Sequence, residues 1–244
     1  MTNTITLPVP VIENPRWRVN VRPATYQRER IPTLSDCLDI VEKSRVRLRG
    51  WDFPHSGSRH GDVAFGQDWV ASWSDAFGHL EYWRFYQSTQ FLYLGSVREV
   101  TERDWNERIR NAMKFHADSH VDIDAVPGFV TITEIIYNLT EYFEFVARLA
   151  QAQIYSEPFR VLISLEDVGG FMLAADKQRS WSSNFVTSNK RIEYSVSLTP
   201  EDSVGAASDH AIKAAIAIFE RFGWRHPNRD VIRSDQQKLL TRSW

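Results

Sequence analysis

One cysteine in 244 residues, Cys37, excludes an internal disulfide and fits a reducing compartment. No run of about 18 apolar residues occurs, so no membrane span is expected. The opening MTNTITLPVPVIENP has no basic segment ahead of an apolar one, which excludes a recognisable secretion signal and leaves the cytoplasm as the expected location. GxxxxGK[ST], GxGxxG, GxSxG, HExxH and paired CxxC are all missing, so P-loop, dinucleotide, hydrolase-serine and cysteine-zinc chemistry have no support. Neither sign of charge dominates, with 29 Lys and Arg against 31 Asp and Glu. A formal net charge of −2 gives the whole molecule no attraction for polyanions, and any nucleic-acid contact must come from a local basic surface.

What is present is a 43% hydrophobic chain, enough for a sizeable core. Prolines at 8, 10, 15, 23 and 32 block regular helix, so residues 1–30 read as an extended arm on the domain or on a partner. Residues 31–244 read as a single domain. A polar cap at Pro32–Thr33 opens a helix to about Ser44, and RVRLRGWD at 45–52 alternates like a strand. Cys37 shares the i, i+3, i+4, i+7 spacing of Leu34, Leu38 and Val41, which places it on a buried helix face. Residues 63–78 are ambiguous, with Trp69 and Trp73 at helical spacing between glycines. Segments 79–87 and 90–98 form a hairpin turning at Ser88–Thr89; neither residue suits a tight primed turn, so the connection should be longer or bulged.

Ile132, Ile135, Ile136, Leu139, Tyr142, Phe143, Val146 and Leu149 trace a helical stripe over 130–150. Strands follow at 158–166 and 190–198. Thr199-Pro200-Glu201-Asp202 then starts a helix that stops at Gly223, and a short basic helix spans about 230–241. Strands in hairpin-like pairs predict an α+β fold, a mostly antiparallel sheet covered by helices, in preference to a doubly wound parallel one.

Three groups of residues could carry chemistry. Alternation would put Arg45, Arg47 and Arg49 on one strand face, and with Arg84, Trp51, Trp83 and Tyr86 they have the composition of a platform for phosphate and stacked bases. The same residues also suit a sheet face where arginines pair with Glu81 and Asp52. Asp52, His55, Arg59, His60 and Asp62 form a glycine-rich loop in which a His–Asp pair could act as base and orienting group. In HADSHVDID, His116, Asp118 and His120, with Asp122 and Asp124, have metal-like spacing, set against a plain solvated acidic loop.

The stretches RLRGWDFPH, EYWRFYQSTQF, TEIIYNLTEYFEFVARLA and IFERFGW resemble a family of uncharacterised bacterial proteins with RGW[DY][FY]PH, WRFYQS and FERFGW motifs. The resemblance covers most of 21–243 and implies a setting near bacterial defence systems, with no activity attached. The positions that match the family motifs are Arg49, Gly50, Trp51, Pro54, His55, Trp83, Arg84, Tyr86 and Gln87. Thr89 stands where the family has glycine.

The expectation drawn from these features is a non-catalytic binding or regulatory subunit of the bacterial cytoplasm, belonging to an anti-phage complex. It would contact a protein partner, or a second copy in a homo-oligomer, through Arg45, Arg47, Arg49, Trp51, His55, Trp83, Arg84 and Tyr86. Arg, Trp and Tyr are enriched at binding hot spots. The alternatives are a metal-dependent hydrolase or nuclease built on the His/Asp loops and a single-stranded nucleic-acid-binding protein. No cofactor is specified by any motif.

Overall fold

In RWRVNVRP the apolar residues alternate with the polar ones, and Arg16–Pro23 is accordingly a strand, β1, with Trp17, Val19 and Val21 buried on one side. The computed structural model describes residues 9–55, 63–75, 78–116, 121–175 and 184–242. A short helix α1 (Val9–Glu13) precedes β1 and α2 (Leu34–Ser44) follows it. Then come β2 (Ala64–Phe65), β3 (Trp69–Ser74), β4 (Glu81–Tyr86), β5 (Phe91–Ser96), α3 (Arg98–Thr101) and α4 (Arg103–His116). The second half holds β6 (Phe129–Thr131), α5 (Ile132–Gln151), β7 (Phe159–Glu166), β8 (Met172–Ala174), β9 (Arg191–Leu198), α6 (Pro200–Gly205), α7 (Ala207–Arg221) and α8 (Arg229–Thr241).

Seven strands form one antiparallel sheet in the order β2-β3-β4-β5-β1-β7-β9, and β6 and β8 make a small parallel pair. The α+β class holds. Of the expected arm, residues 1–8 lie outside the described residues and α1, a helix despite Pro10, packs on the outer face of the sheet through the buried Val11 against Ala71, Tyr82 and Leu94. Residues 16–23 are extended, but inside the sheet, paired to β5 on one side and β7 on the other. The proline at 23 ends the strand, where a missing N–H costs no ladder bond in the middle of the sheet.

The expected strand at 45–52 is absent. Val46 and Phe53 exchange both backbone hydrogen bonds, 2.8 Å each, and the six residues between them are a loop turned by Gly50 at φ +89°. The three arginines therefore share no face. Trp69 and Trp73 lie in β3, since a spacing of four is also even and keeps both on one side of a strand. The hairpin turn is bulged as expected. Tyr86 N–H donates to Gln90 and Thr89 N–H to Tyr86, with Thr89 at φ +67° in the position glycine usually fills.

Helix α5 crosses the inner face of the sheet. Thr131 caps it by accepting from Glu134 N–H at 3.3 Å. Its rings pack edge-on or tilted against the strands, Tyr142 on Trp17 at 5.9 Å and Phe145 on Phe91 at 4.7 Å. Burying each such side chain contributes roughly 1.5–3 kcal/mol. Helices α7 and α8 pack outside α5, and Gln236 on α8 reaches the buried Thr140 hydroxyl at 3.2 Å. No helix among the described residues is long and apolar enough to cross a membrane.

A buried charged cavity as candidate functional site

On α5 the polar residues Glu134, Asn138 and Glu141 interrupt an otherwise apolar stripe at i, i+4 and i+7, so all three face the sheet side of the helix. They meet the loop between Val46 and Phe53. Arg49, at the loop's apex, donates from Nε to Glu141 at 3.0 Å, from Nη1 to Glu134 at 2.7 Å, and from Nη2 to Glu141 at 2.7 Å and to Asn138. Its side chain is only 8% exposed and lies between the rings of Trp51 and Tyr137, 5.8 Å from each. Burial disfavours the Arg49 charge, but Glu141 and Glu134 outweigh it and hold the guanidinium protonated.

This cluster forms one wall of a cavity of about 400 Å³. The inner edge of the hairpin supplies the opposite wall, through Glu81 on β4 and Tyr93 on β5. Phe53, Tyr93 and Tyr142 make an aromatic floor, with centroids 4.9 to 5.5 Å apart. Trp51, 41% exposed, stands at the mouth beside Arg98 of α3.

Along the hairpin wall the polar groups form a chain. His79 Nε2 lies 3.4 Å from the Tyr93 hydroxyl, and Tyr93 in turn hydrogen-bonds the Glu81 carboxyl, which also accepts from the His55 backbone N–H. Burial pushes Glu81 up to about 8 despite the Tyr93 and His55 bonds, and the same burial, reinforced by Arg49, pushes His79 down to about 4. Burial and the neighbouring Glu81 raise Tyr93 far above the ordinary phenol range. Glu141 is raised by burial, against the pull of Arg49. Just behind the wall, Glu99 accepts from the Thr131 N–H at 2.6 Å and hydroxyl at 2.9 Å, and burial together with Glu134 lifts it to about 7.

Among the described residues two buried polar atoms of the cavity, Glu141 Oε1 and His79 Nδ1, have no hydrogen-bond partner, as do some outside it, Ser72 Oγ and Gln236 Oε1 among them. Because an unsatisfied buried polar atom costs about 1–3 kcal/mol, native structures rarely keep one without a reason.

Of the eight residues expected to bind, Arg49, Trp51 and His55 line this cavity. Trp83 is sealed in the core and donates to the His55 carbonyl at 2.9 Å, which fixes the end of the loop. Arg45 and Arg47 are held on the loop's flank by Asp52, Arg45 at 3.6 Å. Arg84 and Tyr86 lie on the other side of the sheet, since β4 alternates. There Arg84 stacks 4.1 Å over Trp69 and donates to the Tyr82 and Tyr86 hydroxyls at 2.7 and 3.3 Å. The expected platform is thus divided by the sheet.

Of the metal candidates, Asp118 and His120 lie outside the described residues, as do Arg59, His60 and Asp62. His116 closes α4, Asp122 caps the turn at Asp124, and Asp124 pairs with Lys114 at 2.7 Å. Among the described residues no group of three His, Cys, Asp or Glu could hold a metal ion. Cys37 is fully buried and pushed up to about 12, chiefly by burial, so its thiol stays protonated.

Comparison with protein-family models, with curated proteins and with solved structures finds no match to this chain.

Proposed function

We propose that this chain is a small-ligand-binding module of the bacterial cytoplasm, working as a regulatory subunit whose ligand enters the cavity between the 47–55 loop, the hairpin and α5. The observation that carries this reading is the pair of unpartnered buried atoms, Glu141 Oε1 and His79 Nδ1, in a concave site with an aromatic floor. A few convergent polar groups on an apolar pocket are what orient a small molecule. The anti-phage setting and a protein partner follow from the family resemblance, not from the site.

Thermal unfolding of the full chain against a panel of cationic, neutral and anionic metabolites, with mass spectrometry of small molecules released from protein purified from its native cells, tests the reading. A stoichiometric released molecule, or a panel member that raises the melting temperature, is the expected result. A silent panel with nothing released would overturn it.

One observation favours single-stranded nucleic acid as a second reading. On the outer face of the sheet Arg22 and Arg160 are direct cross-strand partners, both exposed, near Tyr26, which is 72% exposed. Like charges directly opposite are unfavourable unless an anion joins them. Binding of a labelled oligothymidylate that falls steeply with salt, and is lost in Arg22→Ala/Arg160→Ala, would support it; salt-insensitive or absent binding rejects it.

A further inference from the structure

The hydrogen-bonding capacity of the cavity is lopsided. Arg49 directs four of its five N–H groups to Glu134, Asn138 and Glu141, leaving one Nη1 N–H. Arg98, at the mouth, is tied to Glu102 at 2.5 Å. Glu141 is 2% exposed, and its Oε1 accepts from nothing.

Charge points the same way. Glu81, Glu99, Glu134 and Glu141 are all at least nine-tenths buried around a single buried guanidinium, that of Arg49. Carboxyls so placed repel one another: Glu141 raises Glu81, and Glu134 raises Glu99 and Glu141. The floor beneath them is built of Phe53, Tyr93 and Tyr142, whose ring faces carry negative quadrupole potential.

Resting on the reading of this cavity as a ligand site, we propose that its ligand is an organic cation, an amidinium or protonated amine on an aromatic or apolar body. The cationic N–H group donates to Glu141 Oε1 and the body lies against the aromatic floor. An anion would meet the unpartnered Glu141 Oε1 at the inner end, with the neutral His79 ring as its main open partner.

Occupancy is coupled to the Glu81 proton. Glu81 faces the Tyr93 hydroxyl, with Arg49, Glu141, Tyr142 and, through Tyr93, His79 as its charged and titratable neighbours. A cation nearby favours the ionised carboxylate, so binding expels a proton, and affinity rises as pH passes from about 6.5 to about 8.5.

Three probes of one shape test the proposal on the full chain by calorimetry and by chemical-shift mapping at millimolar concentration: benzamidine, benzamide and benzoate. Benzamidine is expected to bind at least about 10-fold more tightly than the other two, to gain affinity across that pH interval, and to lose about 10-fold in Glu141→Gln. If Glu141→Gln does not fold, the probe ranking and the wild-type pH profile decide. Benzoate or benzamide binding as well as benzamidine, a flat pH profile, unchanged affinity in folded Glu141→Gln, or no benzamidine binding would each overturn the cation assignment. A neutral or anionic panel ligand found by thermal unfolding would then leave the cavity a binding site of another class, whereas a wholly silent panel removes both readings.

Discussion

The guanidinium of Arg49 and the carboxylate of Glu141 meet through two hydrogen bonds, 3.0 Å from Nε and 2.7 Å from Nη2, between residues 92 positions apart. This contact ties the loop after α2 to the middle of α5. Replacing Arg49 by leucine leaves Glu134 and Glu141 buried without their cation and should destabilise the protein by about 3–5 kcal/mol. Urea unfolding of Arg49→Leu and Arg49→Lys checks it. Lysine, a point charge without the fork, should recover only part of the loss.

A second expectation concerns pH. Glu81 and Glu99 titrate near 8 and 7 in the folded chain against 4.5 in a free side chain, so between these values the folded state binds more protons than the unfolded one. Stability therefore falls as pH rises. His79, lowered from 6.5 to about 4, works in the opposite sense, costing stability as pH falls below 6.5, so the glutamates act alone from there up to about 8. Urea midpoints should decrease over that interval, and Glu81→Gln should flatten the slope. A midpoint that rises with pH in the wild-type chain would contradict the burial of these acids.

Gly95 lies two residues beyond Tyr93 on the same face of β5, and a Cβ there would sit 2.3 Å from the Tyr93 hydroxyl oxygen. The ring has no slack, since Phe53 and Tyr142 pack against it. Gly95→Ala should cost about 1–3 kcal/mol and move the Tyr93 ring signals in an NMR spectrum.

Across the sheet, Arg84 is held by Trp69, Tyr82 and Tyr86. Arg84→Ala should cost about 1 kcal/mol through lost cation–π packing while leaving any cavity ligand bound with wild-type affinity. A loss of cavity binding in this variant would mean the two faces communicate through β4.

The elements whose periodicity is set by burial were legible in the residues. The α5 stripe, the hairpin around Ser88–Thr89 and strands β7 and β9 stand close to where their patterns place them, whereas the single helix expected from Thr199 to Gly223 is broken at Ala206, φ −135°, into α6 and α7. Helix α4 leaves little trace in the sequence, because Trp105, Ile109 and Met113 are sparse in a strongly polar run, and α3 is a single turn. The 45–52 segment misled for a physical reason: arginine alternation imitates a strand pattern, yet the Val46–Phe53 bridge closes that stretch on itself. Four residues lining the cavity, Arg49, Trp51, Asp52 and His55, are singled out by the sequence. Glu81 is named there only as a partner for sheet arginines, and His79, Tyr93, Glu134, Asn138 and Glu141 are not, although Glu134, Asn138 and Glu141 leave one readable trace as polar residues recurring on one helix face.

Strand β1 has consequences for how this protein is made. It emerges early, but its neighbours on the two sides, residues 91–96 and 159–166, are synthesised some seventy and more than a hundred and thirty positions later. During synthesis this Trp- and Val-bearing strand therefore lacks a partner until residue 96 exists, and keeps one open edge until residue 166. Deleting residues 16–23 would part the sheet into a half made of β2 to β5 and a half made of β7 and β9, with no ladder between them.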